Sequence, residues 1–324
     1  MRFLKQTEKE VKNLSVPPID KKRIDLRHIP FVTIDGADAK DFDDAVWAEP
    51  DQDKENKGGF HIMIAIADVS WYVRCETAVD SDAKLRGNSI YFPDRVIPML
   101  PFELSNGVCS LNPKEERAAL VCEVWIDKNG VKKKHIFHRA LIKSVRRLTY
   151  PEVEEAIKNI TPINGLEKEI ESLKNVYGLL KKQRQKRGVI EIDVPEQQVQ
   201  LDEKGNILSI HPRQMLSSMQ LIEELMILAN VSAAETLEEK SGPVMYRVHD
   251  RPSDEKIEVL NNFLKSLHLI NKPLNESAEP KDFNNILTKT RTKDISFAVN
   301  EFVLRSQSQA KYSPENIGHF GLAL

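Results

Sequence analysis

Apolar and polar positions fall into short strand-like runs in the first half of the chain and helical repeats in the second. Phe60 to Val69 is apolar nearly throughout and has the length of a buried strand. It ends in Asp68-Val-Ser-Trp-Tyr-Val73, where an aspartate meets aromatics. Ala119 to Ile126 and Val131 to Arg139 predict two strands joined through Asn129-Gly130, a strong hairpin signal. Val189 to Asp193 and Gln197 to Ile210 predict further strands, the latter turning at Glu203-Lys-Gly205. Leu166, Ile170, Leu173, Tyr177 and Leu180 recur at helical spacing after Asn164-Gly165. Met215 to Lys240 predicts a longer helix, and apolar residues on nearly every side of its first half mark it as buried. Ser253-Asp-Glu255 then opens a helix with Ile257, Leu260 and Leu264 on its inner face.

Residues 1 to 24 are charged, carry Pro17-Pro18, and are expected to be a tail or severed linker. The remaining span, 25 to 324, has no internal repeat and one composition regime. It predicts a single α/β (mixed α+β) domain, a mixed sheet with packed helices. The 40% hydrophobic content is enough for a core, and 30% charged residues suit a soluble protein. No apolar run is long enough to span a bilayer, and the first ten residues lack the apolar core of a signal peptide. Cys75, Cys109 and Cys122 are odd in number and widely spaced, unlike a disulfide framework or zinc site, so a cytoplasmic location is expected. The net charge of −2 hides basic clusters at Lys132-Lys-Lys-His135, Arg146-Arg147 and Lys181 to Arg187. Their separation from the acidic residues suits a polyanionic partner, although each alone reads more simply as a solvated face.

Candidate chemistry concentrates in Thr33 to Val46, where Asp35, Asp38, Asp41, Asp43 and Asp44 lie between the apolar segments Phe31–Ile34 and Ala45–Ala48. Carboxylates this close raise one another's pKa unless a cation gathers them, and hard oxygens suit Mg²⁺ or Mn²⁺. A solvated acidic loop is the competing reading, and the tight apolar flanks favour the metal. On a regular strand Asp41 and Asp43 would face one way and Asp44 the other, so a shared site needs a loop or bulge. Gly36, Ala37 and Ala39 permit one. The glycine is misplaced for an EF-hand, and neither a P-loop, a GxGxxG fingerprint nor an HExxH pair is present.

The run from Asp25 to Val46 resembles the catalytic signature of the ribonuclease II/R (RNB) family of exoribonucleases. The resemblance continues, in order, through Ile66–Ser70, Gly87–Pro101, Glu103–Pro113, Leu221–Glu224, Met245–His249 and Tyr312–Leu324. It implies an RNB-type catalytic fold and processive 3′→5′ hydrolysis of single-stranded RNA from its 3′ end. Nucleoside 5′-monophosphates would be released with Mg²⁺ or, as a substitute, Mn²⁺. DNA is not expected as a substrate, nor a membrane as a partner, and the resemblance leaves the oligomeric state open.

By the same resemblance Asp35, Asp41 and Asp44 match metal-binding aspartates and Asp43 the aspartate tied most closely to catalysis. Tyr91 matches a tyrosine that stacks on terminal bases; without the resemblance it would read as a core aromatic. The partner of that clamp falls at Ile192, where relatives often have phenylalanine. Glu223 matches a glutamate near the scissile end, whereas an isolated helical glutamate would read as exposed. Asp38 is given no role, and His249 is expected to be a satisfied structural histidine. In the family the final block runs on into a Thr-Ser-Pro-Ile-Arg-Arg-Tyr motif whose arginine contacts the reacting phosphate, and this sequence stops at Leu324 before it. The expectation is therefore a C-terminally incomplete catalytic domain without cold-shock-like or C-terminal OB-fold modules. It is either a piece of an active hydrolase or a truncated product keeping only a metal- and RNA-binding surface.

Overall fold

The computed structural model describes residues 2–202 and 204–324; Glu203, expected in a turn, lies outside them. The described chain divides into two compact units, Met1–Leu179 with Gln197–Ser232, and Leu180–Glu196 with Ala233–Leu324. One composition regime thus covers two packed bodies, both mixed α/β in content.

In the first unit, helix α1 (Lys5–Val11) precedes strands β1 (Arg23–Asp25), β2 (Val32–Asp35), β3 (Asp44–Pro50) and β4 (Phe60–Ala67). Helices α2 (Val69–Tyr72) and α3 (Ala78–Arg86) lead to a small hairpin, β5 (Ile90–Tyr91) and β6 (Val96–Ile97). The long pair β7 (Glu116–Ile126) and β8 (Lys132–Lys143) follows, joined at Asn129-Gly130 as expected, then β9 (Arg146–Thr149) and α4 (Tyr150–Ile157). Helix α5 (Glu167–Arg187), the hairpin β10 (Gln197–Leu201) and β11 (Ile207–Pro212), and helix α6 (Ser217–Glu239) complete it, α5 and α6 running on past its borders.

Among the described residues a seven-stranded sheet has the order β1-β8-β7-β4-β3-β2-β9. The outer pairs β1/β8 and β2/β9 are parallel and the inner ones antiparallel, so the sheet is mixed. Side chains opposite one another on paired strands share a face. Ala45, Ala65, Val121 and their neighbours form one such face and pack with Phe31, Phe42, Leu104 and Leu111 into a core. The other face carries Val46, Ile64 and Cys122, all nearly inaccessible, which explains why β4 reads as apolar throughout. On that side Lys132 of β8 donates to Ser232 of α6, and Tyr177 of α5 donates to Gln220 of α6 at 2.6 Å.

In the segment expected to be a tail, residues 4–11 pack on α3 and Arg23 joins the sheet. Leu4 N–H and the Thr7 hydroxyl both donate to Asp82 on α3, and the Glu10 carboxylate accepts from the first amides of that helix, Ala78 and Val79. Arg23 is buried in an ion pair with Asp68 at 2.8 Å. Charge and proline content hid these partners because every one is distant in sequence.

The second unit is built on α7 (Asp254–Ser266), α8 (Pro280–Thr290) and α9 (Ser296–Ser306), with a short pair β12 (Tyr246–Val248) and β13 (Lys311–Ser313). Leu260, Leu264, Phe283, Val299 and Phe320 form its core. Val189–Asp193, expected as a strand, pairs with no strand among the described residues. Glu191 N–H donates to the Asn284 side chain, Asp193 N–H to Asn300, and Ile190 N–H to the Gly321 carbonyl. Helix side chains thus satisfy backbone groups that a neighbouring strand would otherwise take. Among the described residues no helix is long and apolar enough to cross a membrane.

Candidate active site

Strand β2 ends at Asp35 and β3 begins at Asp44, so the acidic stretch is the loop the sequence required. Phe42 anchors it. Its ring is buried, its N–H donates to Ser110 Oγ at 3.0 Å, and its carbonyl accepts from Leu111 N–H at 2.8 Å. The Asp43 carbonyl accepts from Ala67 N–H at 2.9 Å. Phe42 is turned inward, while the flanking Asp41 is half-buried and Asp43 exposed. At the loop's start, Arg147 of β9 donates to the carbonyls of Gly36 at 3.2 Å and Ala37 at 2.6 Å.

The carboxyls behave as a crowded group. Burial, then the charges of Asp43 and Asp41, push Asp35 up to about 6, against a smaller opposing effect of Arg147. Burial and the charges of Asp35 and Asp43 push Asp44 up to about 7. Asp43 exposes more surface, yet desolvation of its carboxyl and the charge of Asp41 still raise it. Asp35 Oδ2 and Asp44 Oδ2 are buried and accept no hydrogen bond from any described residue. Buried carboxylate oxygens are costly to leave unmatched.

Tyr91, on the β5–β6 hairpin, is 66% exposed and donates its hydroxyl to Asp41 Oδ2 at 3.4 Å, so the structure brings it to the aspartates. Glu223 lies half-buried on α6, beside the more deeply buried Glu224. The start of α6 is tied to α4, with Ser218 Oγ donating to the Tyr150 carbonyl at 2.8 Å and Ser218 N–H to Glu154 Oε2 at 2.9 Å. Tyr150 itself was not foreseen. Burial and then the charges of Asp35 and Asp44 push its phenol up to about 12. No local pattern marks it; parallel pairing of β2 with β9 aligns Asp35 with Thr149 and so delivers its neighbour. Arg147 was visible only as half of a basic cluster.

The remaining expected residues take their places within their own units. Asp38 is exposed. His249, in the second unit, donates through Nε2 to the Ser308 carbonyl at 2.7 Å and accepts at Nδ1 from Gly321 N–H at 2.9 Å, as a structural histidine should. Ile192 lines a cavity of about 430 Å³ in that unit with Ile190, His249 and Gln307. Within the cluster at 132–135, Lys132 is engaged with Ser232 and Lys134 lies over the Trp125 ring at 4.3 Å. Cys75, Cys109 and Cys122 are free thiols.

Among the described residues no three His, Cys, Asp or Glu side chains stand in a ready-made metal cluster. The aspartates nevertheless fit a divalent cation in donor chemistry: hard oxygens, mutual repulsion, and two buried oxygens with no donor among the described residues.

A mixed sheet carrying an acidic loop at the junction of two strands defines the fold class, and the comparisons give it a family. The RNB domain family model matches residues 23–324, and the chain belongs to that family. It is 42% identical over 306 residues to Ribonuclease R of Escherichia coli strain K12, an alignment covering 93% of this chain and 37% of that protein. The structure of Mycoplasma genitalium RNase R in complex with ribose methylated single-stranded RNA matches with a TM-score of 0.91 at 31% identity, over 98% of this chain and 50% of that one. Yeast Ssd1, a pseudonuclease, shares the fold alone, with a TM-score of 0.75 at 15% identity over 95% of this chain and 38% of that one. The chain spans half or less of the length of these proteins.

Proposed function

We propose that this chain carries the catalytic aspartates of a cytoplasmic, Mg²⁺-dependent exoribonuclease. It shortens single-stranded RNA processively from the 3′ end and releases nucleoside 5′-monophosphates; Mn²⁺ substitutes for Mg²⁺. The observation that carries the reading is the pair of buried oxygens, Asp35 Oδ2 and Asp44 Oδ2, that no described residue satisfies, in a chain whose residues 23–324 match the RNB domain family. Asp35, Asp41 and Asp44 would hold the cation. When bound, it supplies a lowered pKa for attacking water and charge stabilisation for the leaving oxygen.

The chain's own residues supply the rest. Asp43 orients the attacking water and accepts its proton. Tyr150 keeps its hydroxyl proton at neutral pH, since its pKa is about 12, and so offers a donor beside Asp35 and Asp44. Tyr91 offers an exposed ring on which a base stacks regardless of its identity, which suits degradation of any sequence. Glu223 acts near the scissile end.

A second reading has its own observation: the same fold occurs in a pseudonuclease. On that reading the chain keeps a metal- and RNA-binding surface without turnover. A gel assay on single-stranded RNA with Mg²⁺ compares this chain with Asp43→Asn. Release of mononucleotides that falls at least ~100-fold in the variant is expected from loss of a group acting on the attacking water. Equal, background-level decay would exclude activity of this chain.

A further inference from the structure

Arg147 sits on β9 opposite Thr33 of β2, beside the loop that carries the aspartates. Its Nη2 serves two successive carbonyls, Gly36 and Ala37, where the chain leaves β2. The same guanidinium lies 5.0 Å from the centre of the Phe42 ring, the buried anchor of the loop's far end. One side chain therefore touches both arms of the loop. Among the described residues, hydrogen bonds to Ser110 Oγ and from Leu111 and Ala67 N–H hold the loop's backbone at Phe42 and Asp43, and the Tyr91 hydroxyl donates to the Asp41 side chain. Between Gly36 and Asp41 the loop's own Ala39 N–H to Gly36 carbonyl bond makes a turn, but does not attach it to the sheet. Arginine occupies this place at a cost, because its Nε–H is buried and finds no acceptor among the described residues. Its planar fork can meet paired carbonyls while its face lies on an aromatic ring, which a lysine ammonium cannot do.

We infer that Arg147 is a positioning residue: its guanidinium fixes the path of Gly36 to Phe42, and so sets how tightly Asp35, Asp41 and Asp44 hold a divalent cation. The inference rests on the metal reading above. It assigns Arg147 to the protein's own loop, not to the RNA backbone that a basic cluster in a polyanion-binding chain suggests.

Mn²⁺ alone serves as the probe, titrated into the full chain and followed by the electron paramagnetic resonance signal of the free ion. Wild type is expected to bind and Asp44→Asn to lose binding. Arg147→Ala is expected to weaken binding ~10–100-fold, the usual effect of losing a group that orients metal ligands. Millimolar guanidinium, filling the vacated place, should recover part of the loss in Arg147→Ala and leave wild type unchanged. A general loss of structure would not be rescued in this way. Arg147→Lys, which keeps the charge and the long side chain, remains informative if the alanine variant does not fold. It is expected to bind ~10-fold more weakly than wild type. Wild-type affinity in either variant, with circular dichroism and melting unchanged, would overturn the role of Arg147 while leaving the metal reading intact. Absence of Mn²⁺ binding in wild type, or equal binding in Asp44→Asn, would overturn the metal reading itself.

Discussion

At the scale of single residues, Asp44 carries the largest raised carboxyl in the loop, reaching about 7 because burial and two neighbouring charges oppose its ionisation. Unfolding releases that opposition, and an unfolded aspartate titrates near ~4. Between these values the folded state binds the proton more tightly than the unfolded chain. The contribution of Asp44 to stability therefore falls as pH rises through about 4 to about 7, and Asp35, raised to about 6, acts in the same direction. In metal-free buffer containing a chelator, Asp44→Asn should remove much of this slope and stabilise the protein at pH 8 by ~2 kcal/mol, at ~1.4 kcal/mol per pKa unit shared among coupled groups. Urea melts at pH 5 and pH 8 measure it. A variant with an unchanged slope would remove the electrostatic account of the loop.

At the scale of elements, neighbours decide what an apolar run becomes. Val189–Asp193 has strand composition, yet Asn284 and Asn300 take its amides, and Asn284 Nδ2 also donates to the carbonyls of Gly188 and Val189. Asn284→Leu keeps the size of the side chain but removes the donor to the part-buried Gly188 and Val189 carbonyls and the acceptor for the Glu191 amide. It should cost the second unit ~1–2 kcal/mol in a thermal or urea melt. A neutral result would mean that packing of Ile190 alone holds the segment. The same contrast explains what the sequence disclosed. The acidic loop was legible because its demands are local: alternation could not place Asp41, Asp43 and Asp44 together on a regular strand, and the small residues marked where the chain would bend. Strands β4, β7 and β8 were legible because one long apolar run and one Asn-Gly turn specify them. Arg147 and Tyr150 were not, because parallel pairing of β2 with β9 brings them to the aspartates from far along the chain. Nor was the packing of residues 4–11 and of Arg23, where Thr7, Glu10 and Arg23 have their partners on α3 and at Asp68.

At the scale of the molecule, proton and cation compete for the same oxygens, and the competition has a sign that whole-protein stability can report. A ligand that binds only the folded state adds stability as its concentration exceeds its dissociation constant, by ~2.7 kcal/mol at a hundredfold excess. Carboxylate ligands must be ionised to bind, so this gain is small at pH 5, where Asp35 and Asp44 are largely protonated, and full at pH 8. The two trends oppose one another: without metal the acidic loop loses stabilising free energy on going from pH 5 to pH 8, and with saturating Mg²⁺ that loss should shrink or reverse. Melting temperatures across that range, with KCl matched for ionic strength as the control, test the pairing directly. Asp35→Asn and Asp44→Asn should each flatten the Mg²⁺ response, while a substitution at the exposed Asp38 should leave it in place. A Mg²⁺ response that is equal at both pH values, or that KCl reproduces, would assign the effect to general screening of a chain of net charge −2 and remove the acidic loop as its origin.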